Sequence, residues 1–148
     1  MVQFRKIGVL TSGGDSPGMN AAVRAVCRSA LDRGVEVMGI MGGYRGLIDN
    51  NLVELKSYSV SNILNLGGTL LYSARCLEFK TEEGMQLAVK TCRDNNIDAI
   101  VAIGGDGTFR GAVDLTKHGI PTVGLPGTID NDITATDYTI GFDTAMNT

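Results

Sequence analysis

Apolar positions along the chain recur with two periods. Ile7 to Leu10 is a short run of strand length, ended by Thr11-Ser12-Gly13-Gly14. Met19, Ala22, Val23, Val26 and Ala30 then follow the i, i+3, i+4, i+7 spacing of an amphipathic helix, and Gly34 stands where a C-terminal cap glycine belongs. Val35 to Met41 reads as the next strand. Gly42 to Asn51, which holds GGYRG and DNN, reads as loop and turn. Asn62 to Leu66 suggests a short helix ending at Gly67-Gly68. Thr81-Glu82-Glu83 is a helix start; Met85, Ala88, Val89 and Cys92 share one face, and Asn95-Asn96 ends the helix. Ala99 to Ile103 is an unbroken apolar run, as expected of a central parallel strand covered on both faces. After Gly104-Gly105 a further helix is predicted to about His118, with Gly119 as its cap. Ile120 to Leu125 is the next strand, closed by Pro126-Gly127.

Strands alternating with helices predict an α/β fold, a parallel-sheet sandwich with helices on both faces joined by right-handed crossovers. Ligands of such sheets bind beyond the carboxyl ends of the strands. Each Gly-rich turn of this chain falls at such an end. There is no internal repeat or linker, so residues 1–148 read as one domain. Asp143-Thr144 resembles a helix N-cap followed by a single turn, too little to form a helix alone, and the chain reads as truncated there.

Composition removes several classes of function. The net charge is −3, aromatics are 5% and Trp is absent, so neither a basic footprint nor a stacking stripe for nucleic acid is present. No apolar run approaches a membrane span, and Met1 to Leu10 lacks a signal-peptide pattern. Cys27, Cys76 and Cys92 are odd in number and widely spaced, which fits reduced thiols in a cytoplasmic protein rather than a metal site or disulfide. The unusual count is 20 glycines, clustered as GG or PG pairs at the ends of apolar runs.

Three of these turns carry candidate chemistry. Thr11 to Asn20, TSGGDSPGMN, joins a strand to a helix, where small residues and free N–H groups suit a phosphate. It fits neither G-x-G-x-x-G nor the P-loop pattern, and a tight strand-to-helix turn without a ligand is the plain alternative. Gly104-Gly105-Asp106-Gly107-Thr108 opens another helix. A carboxylate beside phosphate makes sense with Mg²⁺, which is held by one or two carboxylates plus substrate phosphates; Asp106 as a simple N-cap is the alternative. Pro126 to Asp132, PGTIDND, places two carboxylates two residues apart beyond a strand. One of them suits a base taking a hydroxyl proton during phosphoryl transfer, against the alternative of a solvated Asx-rich turn.

Cations are also on hand. Arg75 lies in a loop from which it could reach a phosphate, or it is a surface arginine. Arg24 and Arg28 are four apart on the first helix, on one face that either binds an anion or is merely solvated. His118 near a helix C-terminus favours the dipole and, without partners, is a poor catalytic candidate.

KIGVLTSGGDSPGMNAAVRA, SAR, AIGGDGT and GLPGTIDNDI closely resemble the bacterial ATP-dependent 6-phosphofructokinases, over Lys6 to Thr148. PGTIDNDI is specific to that family, whereas GGDGT is shared with NAD and lipid kinases. The resemblance implies transfer of the γ-phosphoryl of Mg-ATP to the 1-hydroxyl of fructose 6-phosphate. It implies Asp130 as the base, with Thr128, Ile129 and Asp132 in the same sugar-phosphate segment. It implies Asp106 as the Mg²⁺-linked aspartate, and Gly14, Tyr44, Arg75, Cys76, Gly105, Gly107, Thr108 and Gly111 as further ATP-site positions. Pyrophosphate-using relatives carry Asp and Lys where Gly107 and Gly127 stand, so two glycines favour ATP. The resemblance also implies an effector site for ADP or phosphoenolpyruvate, formed by Arg24, Ala25, Val26, Cys27 and Arg28 with Ser57, Tyr58, Ser59, Val60, Ser61 and Asn62. There the family pattern has Arg at the place of Ser57 and Asp at that of Asn62, and a lost cation weakens phosphate-effector binding. A homotetramer is implied for the full-length protein, whose other half supplies most of the sugar-phosphate pocket. Two other readings compete: a NAD- or lipid-kinase relative, and a non-catalytic nucleotide-binding fragment.

Overall fold

The computed structural model describes residues 4–12, 17–56 and 77–126, the side chains at 17–20, 77, 78 and 106 excepted. The chain runs β1 (Lys6–Thr11), α1 (Pro17–Asp32), β2 (Glu36–Ile40), α2 (Tyr44–Asp49), β3 (Leu52–Leu55), a 3₁₀ turn (Leu77–Lys80), α3 (Glu82–Asp94), β4 (Ala99–Gly104), α4 (Asp106–Lys117) and β5 (Thr122–Pro126). The five strands form one sheet in the order β3-β2-β1-β4-β5. β1 pairs in parallel with β2 and β4, and β4 with β5; β3 pairs antiparallel with β2.

The two faces of the sheet come from the period-2 pattern of its central strands. Ile7 and Val9 of β1, with Ala99, Val101 and Ile103 of β4, pack against Val23, Val26, Cys27 and Ala30 of α1. Leu10, Ile100 and Ala102 point to the other face, where Leu47 of α2, Leu115 of α4 and Met85, Ala88, Val89 and Cys92 of α3 cover them. All six residues of β4 are buried, which is why its sequence is an unbroken apolar run. Ile100 is wholly buried, and truncating it to Ala would cost about 2–5 kcal/mol.

The helix ends follow the sequence signals. Thr81 caps α3, its Oγ1 accepting the Gly84 N–H at 3.0 Å. Gly34 and Gly119 take positive φ just beyond α1 and α4.

Two expectations are corrected. The segment read as loop and turn contains α2 and leads into β3. Gly43 (φ 66°) and Asn50 (φ 58°, left-handed) are the turn-like residues that gave the loop reading, and they are the two ends of α2. A six-residue helix offers only Tyr44, Leu47 and Ile48 as apolar positions, too few to reveal a period. β3 makes the sheet mixed rather than wholly parallel. It is a four-residue edge strand with Val53 and Glu54 exposed, so it shows no clear alternation. The helix expected over 62–66 lies outside the described residues.

Candidate functional site at the β1–β4 switch point

From β1 the chain crosses through α1 to β2 on one side, and from β4 through α4 to β5 on the other. The carboxyl ends of β1 and β4 therefore flank the topological switch point, the crevice where open α/β sheets bind ligands. Thr11 pairs with Ile103 in register, and the Ser12 N–H donates to the Ile103 carbonyl at 2.9 Å. Both Gly-rich turns start here.

Gly105 precedes α4 as its N-cap in extended conformation, and no side chain caps the helix. Asp106 is the first residue of α4, so the role of N-cap falls to Gly105. The first helical hydrogen bond runs from the Phe109 N–H to the Gly105 carbonyl at 3.0 Å. The N–H groups of Asp106, Gly107 and Thr108 precede it and have no partner inside the helix. That end of α4 carries the positive pole of its dipole and suits an anion.

The glycines around this point serve different ends. A side chain at Gly104 would put its Cβ 2.2 Å from Thr108 Oγ1 and 2.3 Å from the Ser12 carbonyl oxygen, so the fold itself requires glycine there. At Gly105 and Gly107 a Cβ would meet nothing within 4 Å, and neither residue has positive φ. Packing and backbone conformation leave those two glycines unexplained. Among the described residues nothing stands where their missing Cβ atoms would lie.

The floor of the crevice is polar inside and aromatic behind. Thr108 is buried, and its hydroxyl donates to the Ser12 carbonyl at 3.3 Å. Tyr44 donates its hydroxyl to the Thr108 carbonyl at 2.5 Å. Burial, then repulsion by Asp114, pushes the Tyr44 phenol well above its usual range, so it remains a donor. The Tyr44 ring stacks on Phe79 with centroids 4.0 Å apart and planes 10° apart. A methyl at Gly111 would lie 2.8 Å from the Tyr44 ring and 2.9 Å from that of Phe79.

Five of the sequence-derived positions, Tyr44, Gly105, Gly107, Thr108 and Gly111, thus meet at one end of α4, and Asp106 opens the same helix. Gly14, Arg75, Cys76, Gly127, Thr128, Ile129, Asp130, Asp132 and the segment Ser57 to Asn62 lie outside the described residues. Arg24 and Arg28 are one turn apart on α1. Arg28 is exposed, whereas Arg24 is half-buried and its enclosed Nε has no hydrogen-bond partner among the described residues. Ala25 beside them is exposed, but Val26 and Cys27 are core residues whose side chains face the sheet. Burial raises the Cys27 thiol pKa and pushes that of Cys92 up to about 12, so both are inert packing groups. His118 caps the C-terminus of α4, its Nδ1 at 2.7 Å from the Asp114 carbonyl and its Nε2 at 3.4 Å from Glu82 Oε2.

Sequence reasoning missed Gly43 and Phe79 as parts of this centre, and it named Ser12 and Gly104 only within their turns, without the contact that joins them. Gly104 differs from its neighbour Gly105 only through what its missing Cβ would strike. Phe79 sits in a 3₁₀ turn with no periodic signal.

A family model described as phosphofructokinase matches residues 6–148. The chain belongs to the phosphofructokinase family. It is 60% identical over 145 residues to an ATP-dependent 6-phosphofructokinase of Shouchella clausii, covering 98% of this chain and 46% of that protein. The chain thus spans about half the length of the curated phosphofructokinases it matches. Among solved structures, phosphofructokinase from Pichia pastoris superposes with a TM-score of 0.81 at 40% identity, covering 89% of this chain and 16% of the other. That from Saccharomyces cerevisiae gives 0.77 at 39% identity, covering 86% and 20%. The α/β fold is thus that of the phosphofructokinases, and the reading as a NAD- or lipid-kinase relative gives way. Among the described residues no helix is long and apolar enough to cross a membrane.

Proposed function

We propose that this chain is the ATP-binding part of an ATP-dependent 6-phosphofructokinase, acting in the cytoplasm in glycolysis. The observation that carries the reading is the start of α4 at the switch point, with N–H groups that have no helical partner and two glycines that nothing among the described residues requires. The relatives' names supply the donor, ATP, and the acceptor class.

In this reading the triphosphate lies against the N–H groups at the start of α4 and the turn at Gly14, with Arg75 steadying charge on the transferred group. Tyr44, Phe79 and Gly111 form the wall behind it, and Cys76 adjoins Arg75. Asp130 takes the proton of the sugar 1-hydroxyl as its oxygen bonds to the γ-phosphorus and the bond to ADP breaks. Thr128, Ile129 and Asp132 hold the same segment against fructose 6-phosphate. Asp106, at the head of α4, would hold Mg²⁺, and the open space before Gly105 and Gly107 is compatible with a hydrated cation bound through phosphates. When bound, the metal neutralises the negative charge that builds on the phosphates. Arg24 and Arg28, with the segment 57–62, form a separate effector site for ADP or phosphoenolpyruvate, weakened by Ser57 and Asn62. The full-length assembly is a homotetramer.

The test is a chimera in which residues 1–148 replace the matching part of the Shouchella clausii relative, assayed by coupling to fructose 1,6-bisphosphate formation. Turnover near that of the parent enzyme is expected. A folded chimera that binds MgATP without turnover would overturn the kinase reading. In the same chimera Asp130→Asn lowers kcat by at least ~10²-fold, and Asp106→Ala weakens the use of MgATP. Near-normal kcat in the first, or unchanged Mg²⁺ dependence in the second, removes that assignment.

The shared length favours a second reading, a nucleotide-binding fragment without turnover of its own, because the chain matches only 46% of its relative. The 148-residue chain alone, assayed with fructose 6-phosphate, decides between them; normal turnover rules out the fragment.

A further inference from the structure

Thr108 is gripped at both of its polar ends, and by the protein alone. Its hydroxyl donates to the carbonyl that closes β1, at Ser12, and its own carbonyl accepts the hydroxyl of Tyr44 from α2. Thr108 and Tyr44 are 3% and 6% exposed, so neither contact competes with bulk water. That carbonyl already accepts the next turn of α4, and its second lone pair takes the phenol.

The packing leaves this grip no slack. The absent Cβ of Gly104 lets the Thr108 hydroxyl and the Ser12 carbonyl close on each other, and the absent Cβ of Gly111 lets the Tyr44 and Phe79 rings press against α4. At Gly105 and Gly107, by contrast, an added Cβ would meet nothing within 4 Å.

We infer that Tyr44 and Thr108 are positioning residues whose hydroxyls form a two-point clamp on the first turn of α4, holding its free N–H groups in register with the end of β1. Both hydroxyls are engaged by backbone carbonyls of the protein itself. A shift of α4 by about an ångström breaks both bonds at once, the scale of misplacement that costs bound complexes most. The consequence for ligand binding rests on the reading that this turn takes the phosphates of MgATP. The clamp itself belongs to the nucleotide-free protein.

The experiment uses the whole 148-residue chain and its variants Tyr44→Phe, Thr108→Val, Thr108→Ser and Thr91→Val. MgATP affinity is measured by calorimetry, and amide exchange of residues 107–111 is measured without nucleotide. Tyr44→Phe and Thr108→Val should each weaken MgATP binding about three- to tenfold, the scale of one hydrogen bond, and speed amide exchange in the first turn of α4. Thr108→Ser should restore both. Thr91→Val removes the buried hydroxyl bond from α3 to the Leu47 carbonyl, which touches neither end of Thr108, and should lower Tm without changing affinity. Equal loss of affinity in Thr91→Val would reduce the clamp to general stability and overturn the inference. Unchanged exchange in Tyr44→Phe and Thr108→Val would overturn it too, whatever the nucleotide result. If the parent chain binds no MgATP but exchange responds as expected, the nucleotide reading of the turn fails and the clamp stands.

Discussion

Helix α3 is closed at its start by the protein's own atoms, whereas α4 is not. Thr81 accepts the Gly84 N–H, one of the orphan donors of α3, and Glu82 and Glu83 place negative charge in its first turn, which suits the dipole. α4 begins on Gly105 with no side-chain cap and with clear space at Gly105 and Gly107. Both helices use the same backbone geometry and similar lengths. What differs is the side-chain cap: α3 has one of its own, whereas the start of α4, at the switch point of the sheet, has none among the described residues and suits an anion. The phosphofructokinase membership of the chain says which anion to try first.

The sharpest way to break this comparison is to treat the glycines of the α4 start as equivalent. Gly104→Ala should destabilise the chain by about 3 kcal/mol or more, because the new methyl strikes a backbone carbonyl and a buried hydroxyl that cannot both move. Urea denaturation measures it, and a loss well under about 1 kcal/mol would show that the two turns are not in tight contact.

Gly107→Asp should act with opposite signs on two measurements. An aspartate in the first turn favours the helix dipole by about 0.3–1 kcal/mol and its Cβ meets no atom within 4 Å, so stability should hold or rise. The same carboxylate repels a phosphate and fills the space before the helix, so MgATP affinity should fall at least about tenfold. A variant that is less stable yet binds normally would mean that Gly107 serves the fold rather than a ligand.

The mirror experiment is at α3. Thr81→Ala removes the cap and should cost about 1 kcal/mol with MgATP affinity unchanged, read as a lowered denaturation midpoint and an unaltered binding isotherm. Weaker MgATP binding would imply that the closed helix also shapes the open one.

Much of this contrast was legible in sequence, and the reason is local. Thr81 with two glutamates behind it is a cap that any reader of sequence finds, and Ala99 to Ile103 announces a strand covered on both faces. The glycines at 104, 105 and 107 look alike in sequence because their difference lies in non-local contacts. Gly104 is fixed by Ser12, which is 92 positions away, and Gly107 by nothing. The stacking of Tyr44 on Phe79 was hidden for the same reason, and α2 was hidden by its own capping residues. Asp130 and Arg75 remain readings from motif, as they lie outside the described residues.

The smallest predicted effect concerns how α3 and α4 touch. His118 at the end of α4 reaches Glu82 at the start of α3, and the open helix is thereby tied to the closed one at the surface. The hydrogen bond to the Asp114 carbonyl raises the His118 pKa, and Glu82 and Asp114 add to the rise. The hydrogen bond from Gln86, then that from His118, lowers the Glu82 pKa. A raised histidine adds stability that is fully present below its unfolded value of about 6.5 and is lost as pH rises through the folded value. A lowered glutamate adds stability present above its unfolded value, about 4.3, and lost as pH falls through the lowered one. The pair is therefore strongest in the acidic window between those two titrations. The difference in Tm between the parent chain and His118→Gln should be widest near about pH 6 and shrink toward about pH 9. A difference that stays flat across that range would mean that the imidazole acts as a neutral cap on α4 and that charge plays no part in joining the two helices.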